Sequence, residues 1–231
     1  MSYGICSVAK GRVLQFDAKT QRGETTHIGV VHCIHAETGK PIWKYQYPYE
    51  YQDQYGYNNG PRTSPLIDND RVYVYGVDGT LICIDLETGS EVWQVATAEK
   101  FGVIQNFFGV GSNPVVSGNN IIVMVGGSPR TTRLQFAQGN GSAIVAFNKA
   151  TGEMEYKISD ELASYASLQL IREQRDWCFA FLRGGLLVFD PQVGKEDFFF
   201  PWRAKILESV NASVPVVFGD RVFISETYGP G

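Results

Sequence analysis

One phrase, written four times, limits what this chain can fold into. Residues 31–43 read VHCIHAETGKPIW, 79–93 read GTLICIDLETGSEVW, 144–156 read IVAFNKATGEMEY and 186–198 read LLVFDPQVGKEDF. Each copy carries a turn glycine: Gly39, Gly89, Gly152 and Gly194. In each, the fourth residue after glycine is aromatic: Trp43, Trp93, Tyr156 and Phe198. In the second copy Leu81 and Cys83 alternate with Ile82 and Ile84, a pattern that suits a strand buried on both faces. Gly89 can take a positive φ at little cost, so it fits a tight reversal into a return strand. The aromatic is a large apolar plate that has to be buried, and the repeat assigns it to the gap between neighbouring units.

A second half-motif precedes the later copies. Pro65 leads to Val72, Pro114 to Ile121 and Pro215 to Val222, each seven residues on. Asp68-Asn69-Asp70, Ser117-Gly118-Asn119 and Phe218-Gly219-Asp220 lie between and read as turns. A degenerate copy runs from Leu170 to Trp177. One unit is therefore four short strands. Such units at a spacing of roughly 40–60 residues predict an all-β chain, a β-propeller of four-stranded antiparallel blades packed face to face. The expected blades are residues 3–48, 62–98, 111–159 and 165–203, with a half blade at 210–231, in one domain over 1–231. This reads as an incomplete arc of about four and a half blades, a fragment of a propeller of about seven or eight. An open arc leaves edges that can pair or dimerise.

Composition excludes several classes. The net charge is −4, with no basic block, which argues against nucleic acid. No run of eighteen apolar residues is present, so no transmembrane helix is expected. The start, MSYGICSVAKGRV, lacks the continuous apolar core of a signal peptide. Cys33 and Cys83 sit at the same repeat position, where Ala146 and Val188 stand in the other copies, so they read as small buried strand residues. His32 and His35 are an odd number apart and point to opposite faces of one strand, so no metal site is expected from them. Asp85 and Asp190 recur at one repeat position and read as acceptors for turn amides. No Ser-His-Asp order, phosphate-binding loop or Cys-x-x-Cys pair occurs, and no catalytic or metal residue is assigned.

Asp85, Thr88, Gly89 and Trp93 match the blade signature Ala-x-Asp-x-x-Thr-Gly-x-x-x-Trp. In this the chain resembles the pyrroloquinoline-quinone-like propeller superfamily. His35 and Asn148 replace the aspartate in two copies, and Val193 replaces threonine in the fourth. More narrowly, YGYNNGPRTSP, FFGVGSNPVVSGN and ESVNASVPVVFGDRVFISETYG resemble bacterial quinone-binding-like repeat proteins, and the repeat resembles the outer-membrane assembly propellers. The resemblance implies export to the periplasm or cell envelope in the full-length form. It also implies a non-catalytic scaffold that binds protein through loops and edges. The alternative it implies is a quinone-dependent alcohol or sugar dehydrogenase. Such enzymes carry pyrroloquinoline quinone with calcium, a vicinal cysteine pair and a catalytic aspartate. No cofactor is evident in this sequence, which has no adjacent cysteines and no acidic cluster at calcium-loop spacing.

Propeller ligands, protein or small molecule, are expected at the face where loops enter the innermost strands. The loop residues singled out there are Asn59, Arg62, Phe108, Asn113, Tyr165, Ser209 and Asn211. Amides and hydroxyls offer donors and acceptors, the rings offer apolar faces, and Arg62 offers a planar donor fork. Residues 17–29 and 126–141 read as long polar loops, against the short link Gly76-Val77-Asp78-Gly79.

Overall fold

The computed structural model describes residues 2–20, 23–103, 108–126, 139–203 and 211–226. Among these residues the chain forms four four-stranded antiparallel sheets and one two-stranded sheet, each a meander in chain order. The architecture is an all-β propeller, and each sheet is a blade. The first blade is β1 (Ser7–Ala9), β2 (Arg12–Lys19), β3 (Thr26–His35) and β4 (Pro41–Glu50). The second is β5 (Leu66–Asp68), β6 (Arg71–Tyr75), β7 (Thr80–Asp85) and β8 (Glu91–Ala96), followed by one helical turn, α1 (Thr97–Lys100). The third is β9 (Val115–Ser117), β10 (Asn120–Met124), β11 (Ile144–Asn148) and β12 (Met154–Ile158). The fourth is β13 (Gln169–Arg172), β14 (Asp176–Leu182), β15 (Gly185–Asp190) and β16 (Lys195–Pro201). A last hairpin pairs β17 (Val216–Phe218) with β18 (Arg221–Phe223). The chain divides into two compact units, Met1–Lys100 with Phe107–Gly111, and Phe101–Asn106 with Ser112–Gly231.

The repeated phrase builds the same hairpin four times. Cys33 pairs with Trp43, Cys83 with Trp93, Ala146 with Tyr156 and Val188 with Phe198. The residue across from each ring is small, which leaves room for the ring on that face. Just beyond each pair the ladder shifts, leaving Ile42, Val92, Glu155 and Asp197 as the extra residues of a β-bulge. The turn closes the same way each time. Asp85 N donates to Ser90 O and Gly89 N to Asp85 O, both at 2.9 Å, and His35, Asn148 and Asp190 accept from their own glycines likewise. Asp85 Oδ1 also accepts from Thr88 N at 2.9 Å and Glu87 N at 3.1 Å. These amide bonds, with the Arg71 guanidinium 2.7 Å away, hold its carboxyl below the usual aspartate range.

The aromatic of one blade reaches the turn of the next. Trp43 Nε1 donates to Leu86 O at 3.0 Å, and Tyr156 Oη donates to Pro191 O at 2.7 Å. Leu86 and Pro191 each follow the aspartate of the next blade's turn. A Cβ added to Gly89 would lie 2.6 Å from the Trp43 ring, and one on Gly194 would collide with the Tyr156 ring. Trp93 is 9% exposed and packs 5.9 Å from Tyr73, centroid to centroid. Phe198 differs: it is 49% exposed. Among the described residues the hairpin after it contributes only β17 and β18, without a Thr-Gly turn to cover the ring.

Strand alternation sets the cores. In the first unit Leu14, Phe16, Val31 and Cys33 pack against Val72, Val74, Ile82 and Ile84. In the second, Cys178, Ala180, Leu182 and Leu187 pack with Ile122, Met124, Ile144 and Ala146. The opposite face of β14 and β15, through Phe179, Phe181, Leu186 and Val188, meets Val217 and Ile224.

One expected loop is not a loop. Residues 17–29 are largely strand, because β2 runs to Lys19 and β3 starts at Thr26, with Ala18 across from Gly29 and Lys19 across from Ile28. Phe16 and Ala18 keep the inward alternation going, and Gly29 leaves space for the Tyr47 ring, so the hairpin extends past the sequence-expected strand ends. The corresponding stretch at 126–141 lies mostly outside the described residues.

Candidate functional site

In the first unit, the link from β4 to β5 folds over itself by polar contacts. Asp53 is buried, and its Oδ2 lies 2.6 Å from Arg62 Nη2. Arg62 also donates to Gly60 O at 3.1 Å and Asn58 O at 3.0 Å. Its guanidinium stands over the rings of Tyr3 and Tyr51, 5.8 and 5.4 Å from their centroids. Burial pushes the Tyr51 hydroxyl up to about 12, with the Arg62 charge opposing the rise. Asn59 Oδ1 accepts from Asp53 N at 2.8 Å, and Asn59 O accepts from the Tyr49 hydroxyl at 2.7 Å. Asn58 Oδ1 accepts from Gly60 N at 2.8 Å. Arg62, expected as a donor fork open to a ligand, is thus turned onto its own loop.

The same link carries an aromatic surface. Tyr55 and Tyr57 are 60% and 70% exposed, and their rings stack with centroids 6.1 Å apart. Phe108 backs both, at 5.7 Å from Tyr55 and 6.3 Å from Tyr57. Beside them is an open cleft of about 810 Å³, lined among others by Glu24, Gln52, Asp53, Asn58 and Asn59. That volume falls in the roughly 300–1,000 Å³ range of small-molecule sites.

A second polar group lies under the β4 strand. Asp78, on the short β6–β7 link, is half-buried, with Thr80 Oγ1 donating to its Oδ2. A Cβ at Gly76 would collide with both the Tyr47 hydroxyl and Asp78 Oδ1, so the two groups face the same small space. Burial raises the Asp78 carboxyl above the ordinary aspartate range, against the bonds from Thr80 and Tyr47. Burial and the Asp78 charge raise the Tyr47 and Tyr49 hydroxyls too.

In the second unit the sequence-expected residues make internal bonds. Asn113 donates from N and Nδ2 to Ser167 Oγ, both at 3.1 Å. Asn211 is buried, donates from Nδ2 to Leu182 O at 2.7 Å, and its carbonyl accepts from Tyr165 N and Ala166 N. Ser209 lies outside the described residues. Of the seven residues singled out, the structure brings Asn59, Arg62 and Phe108 together with the cleft or its walls. Asp53, Tyr55 and Asp78 escaped the sequence reading. The tyrosine-rich run YEYQDQYGYNN was the available signal for the first two.

The family model described as outer membrane protein assembly factor BamB matches residues 27–230. The dehydrogenase subunit of the quinone alcohol dehydrogenase of Gluconobacter oxydans is 26% identical over 164 residues, 62% of this chain and 20% of that protein. Among solved structures, BamB from Moraxella catarrhalis superposes with a TM-score of 0.60 at 17% identity, over 95% of this chain and 57% of that one. The quinohemoprotein alcohol dehydrogenase of Comamonas testosteroni gives a TM-score of 0.61 at 17% identity, over 95% and 38%. The chain therefore spans a fifth of the curated relative and somewhat over half of the solved BamB chain. With four blades built on one glycine-aromatic hairpin and a family match over most of its length, this chain belongs to the BamB family of pyrroloquinoline-quinone-like β-propellers.

Proposed function

We propose that the chain is part of a non-catalytic binding propeller of the bacterial envelope, which holds a partner through the loop 52–59 and the rim beside it. The carrying observation is the exposed Tyr55–Tyr57 pair beside an open cleft. Two large rings left in water on a loop favour contact with something else. The repeated polar side chains are used otherwise: Asp85, Asn148 and Asp190 accept from their own turn amides. The test is retention of partners from an envelope extract on the full-length protein. Capture that Tyr57→Ala abolishes supports the reading, and equal recovery on a protein lacking residues 52–59 counts against it.

A second reading, a quinone-dependent alcohol dehydrogenase, is favoured by the similarity to the Gluconobacter oxydans subunit. The described residues do not fit the quinone with its calcium. Cys33, Cys83 and Cys178 are single thiols buried in three different sheets, and Cys6 is alone at the surface. Asp53 is bound to Arg62, and among the described residues no three His, Cys, Asp or Glu side chains come together that could hold a metal ion. Dye reduction by the full-length protein, supplied with quinone, calcium and primary alcohols, would overturn the binding reading.

A further inference from the structure

We propose that Asn140 is a self-modifying site, at which the main-chain amide of Gly141 closes on the Asn140 side chain with help from Lys157 and leaves an aspartyl or β-aspartyl residue.

The sequence holds two Asn-Gly pairs, Asn59-Gly60 and Asn140-Gly141. Such a pair is labile because glycine puts no side chain in the way when its nitrogen approaches the neighbouring amide carbon. The structure separates the two. At the first, Gly60 is buried and its N donates to Asn58 Oδ1 at 2.8 Å, so the attacking nitrogen is engaged. Asn59 Oδ1 accepts from Asp53 N at 2.8 Å, so the side chain is pinned as well. At the second, on the link before β11, Asn140 is exposed, and its Nδ2 reaches Phe101 O at the long distance of 3.3 Å.

Lys157, on β12, adds chemistry to exposure. Its Nζ donates to Asn140 O at 3.4 Å. That oxygen belongs to the peptide bond whose nitrogen is Gly141 N. When the nitrogen loses its proton, negative charge spreads onto this oxygen, beside the ammonium. A Cβ built on Gly141 would lie 3.5 Å from the same Nζ and 3.8 Å from Asp160 Oδ1, so the cation is the closer of the two charges. At Asn59 the equivalent oxygen accepts from the hydroxyl of Tyr49 instead, a neutral donor.

The reaction needs only water. Gly141 N gives up its proton and bonds to Asn140 Cγ, the Cγ–Nδ2 bond breaks, and ammonia leaves with the proton. Water then opens the cyclic imide at either carbonyl. One opening gives aspartate, the other a β-aspartyl linkage with an added methylene in the main chain. That methylene falls just before Ser142 and Ala143, whose carbonyls accept from Gly126 N at 2.7 Å and Val125 N at 3.0 Å, so the change bears on the β10–β11 hairpin of the third blade. A β-aspartyl carboxyl on this link is the substrate class of a carboxyl methyltransferase.

The experiment is incubation of the whole 231-residue chain in mildly alkaline buffer. Conversion is read by peptide mass spectrometry and by labelled methyl transfer from S-adenosylmethionine with an isoaspartyl O-methyltransferase. Position 140 is expected to convert about tenfold or more faster than 59, where the bonds to Gly60 N and Asp53 N must break first. Lys157→Gln should slow position 140 about fivefold, the effect of a unit charge at this range in water. Lys157→Arg, which keeps the charge, should restore the rate. In concentrated urea the two positions should convert alike, and Lys157→Gln should make no difference. Equal conversion of 59 and 140 in the native chain would overturn the proposal. So would a Lys157→Gln chain that melts as the wild type does and converts at 140 as fast.

Discussion

The indole of Trp43 donates to the carbonyl of Leu86, 43 residues on, across the gap between the first and second blades. The ring also covers Gly89. One side chain therefore supplies apolar cover and a hydrogen bond to the neighbouring turn. Trp43→Phe keeps the cover and loses the bond, and should cost about 1 kcal/mol. Trp43→Ala removes both, and should cost up to about 3–5 kcal/mol. Urea melts of the two variants check the order. Equal midpoints would show that the plate itself contributes nothing.

Gly39 and Gly89 separate backbone strain from crowding. Both have positive φ, +66° and +74°, but a Cβ on Gly39 would meet nothing within 4 Å, whereas one on Gly89 would meet the Trp43 ring. Gly39→Ala should cost about 1–2 kcal/mol for the left-handed backbone alone. Gly89→Ala should cost that and about 1–3 kcal/mol more for overpacking. Adding Trp43→Ala to Gly89→Ala should recover part of the second amount. If the two glycine variants melt together, the close approach does not matter.

Asp53 and Arg62 form a buried pair, with side chains 0% and 10% exposed. Breaking such a pair from one side typically costs about 3–5 kcal/mol, because the other charge is left buried. Asp53→Ala and Arg62→Ala should therefore each destabilise strongly, and the double variant should cost clearly less than their sum. Additive losses in thermal denaturation would mean that the two residues act independently.

Asp78 sets a pH dependence of definite sign. Its folded carboxyl is raised by burial, so between the ordinary aspartate value of about 4 and the raised folded value the native state holds more protons than the unfolded one. Stability falls as pH rises through that window. Asp78→Asn removes the ionisation and should raise the melting temperature at pH 8 more than at pH 4. An equal shift at the two pH values would contradict this.

The blade hairpin was legible in the residues because its requirements are local. A turn glycine, an aspartate or its substitute and an aromatic at fixed offsets determine strand register without reference to distant parts. The direction of the aromatic was less legible. That Trp43 meets Leu86 and Tyr156 meets Pro191 depends on how blades dock, which spacing does not encode. Phe198 shows the same limit from the other side, being placed as its repeat requires and yet half exposed. The site was least legible. Arg62 looked like a donor fork open to ligand because nothing in its neighbours announces that Asp53, nine residues back, would be folded beneath it. Asp78 sat in a stretch that read only as a short link, and only tertiary packing brings Tyr47 over it.

The cysteines buried in separate blades give the protein a set of internal clocks. Cys33, Cys83 and Cys178 are fully buried, one in each of three blades, while Cys6 is exposed. Burial raises their thiols, that of Cys83 to about 12, so they are unreactive while covered. A thiol reagent added to the native protein will modify Cys6 at once and reach the other three only when their blades open. The rate at each cysteine then reports the local opening free energy of its own blade, without any introduced probe.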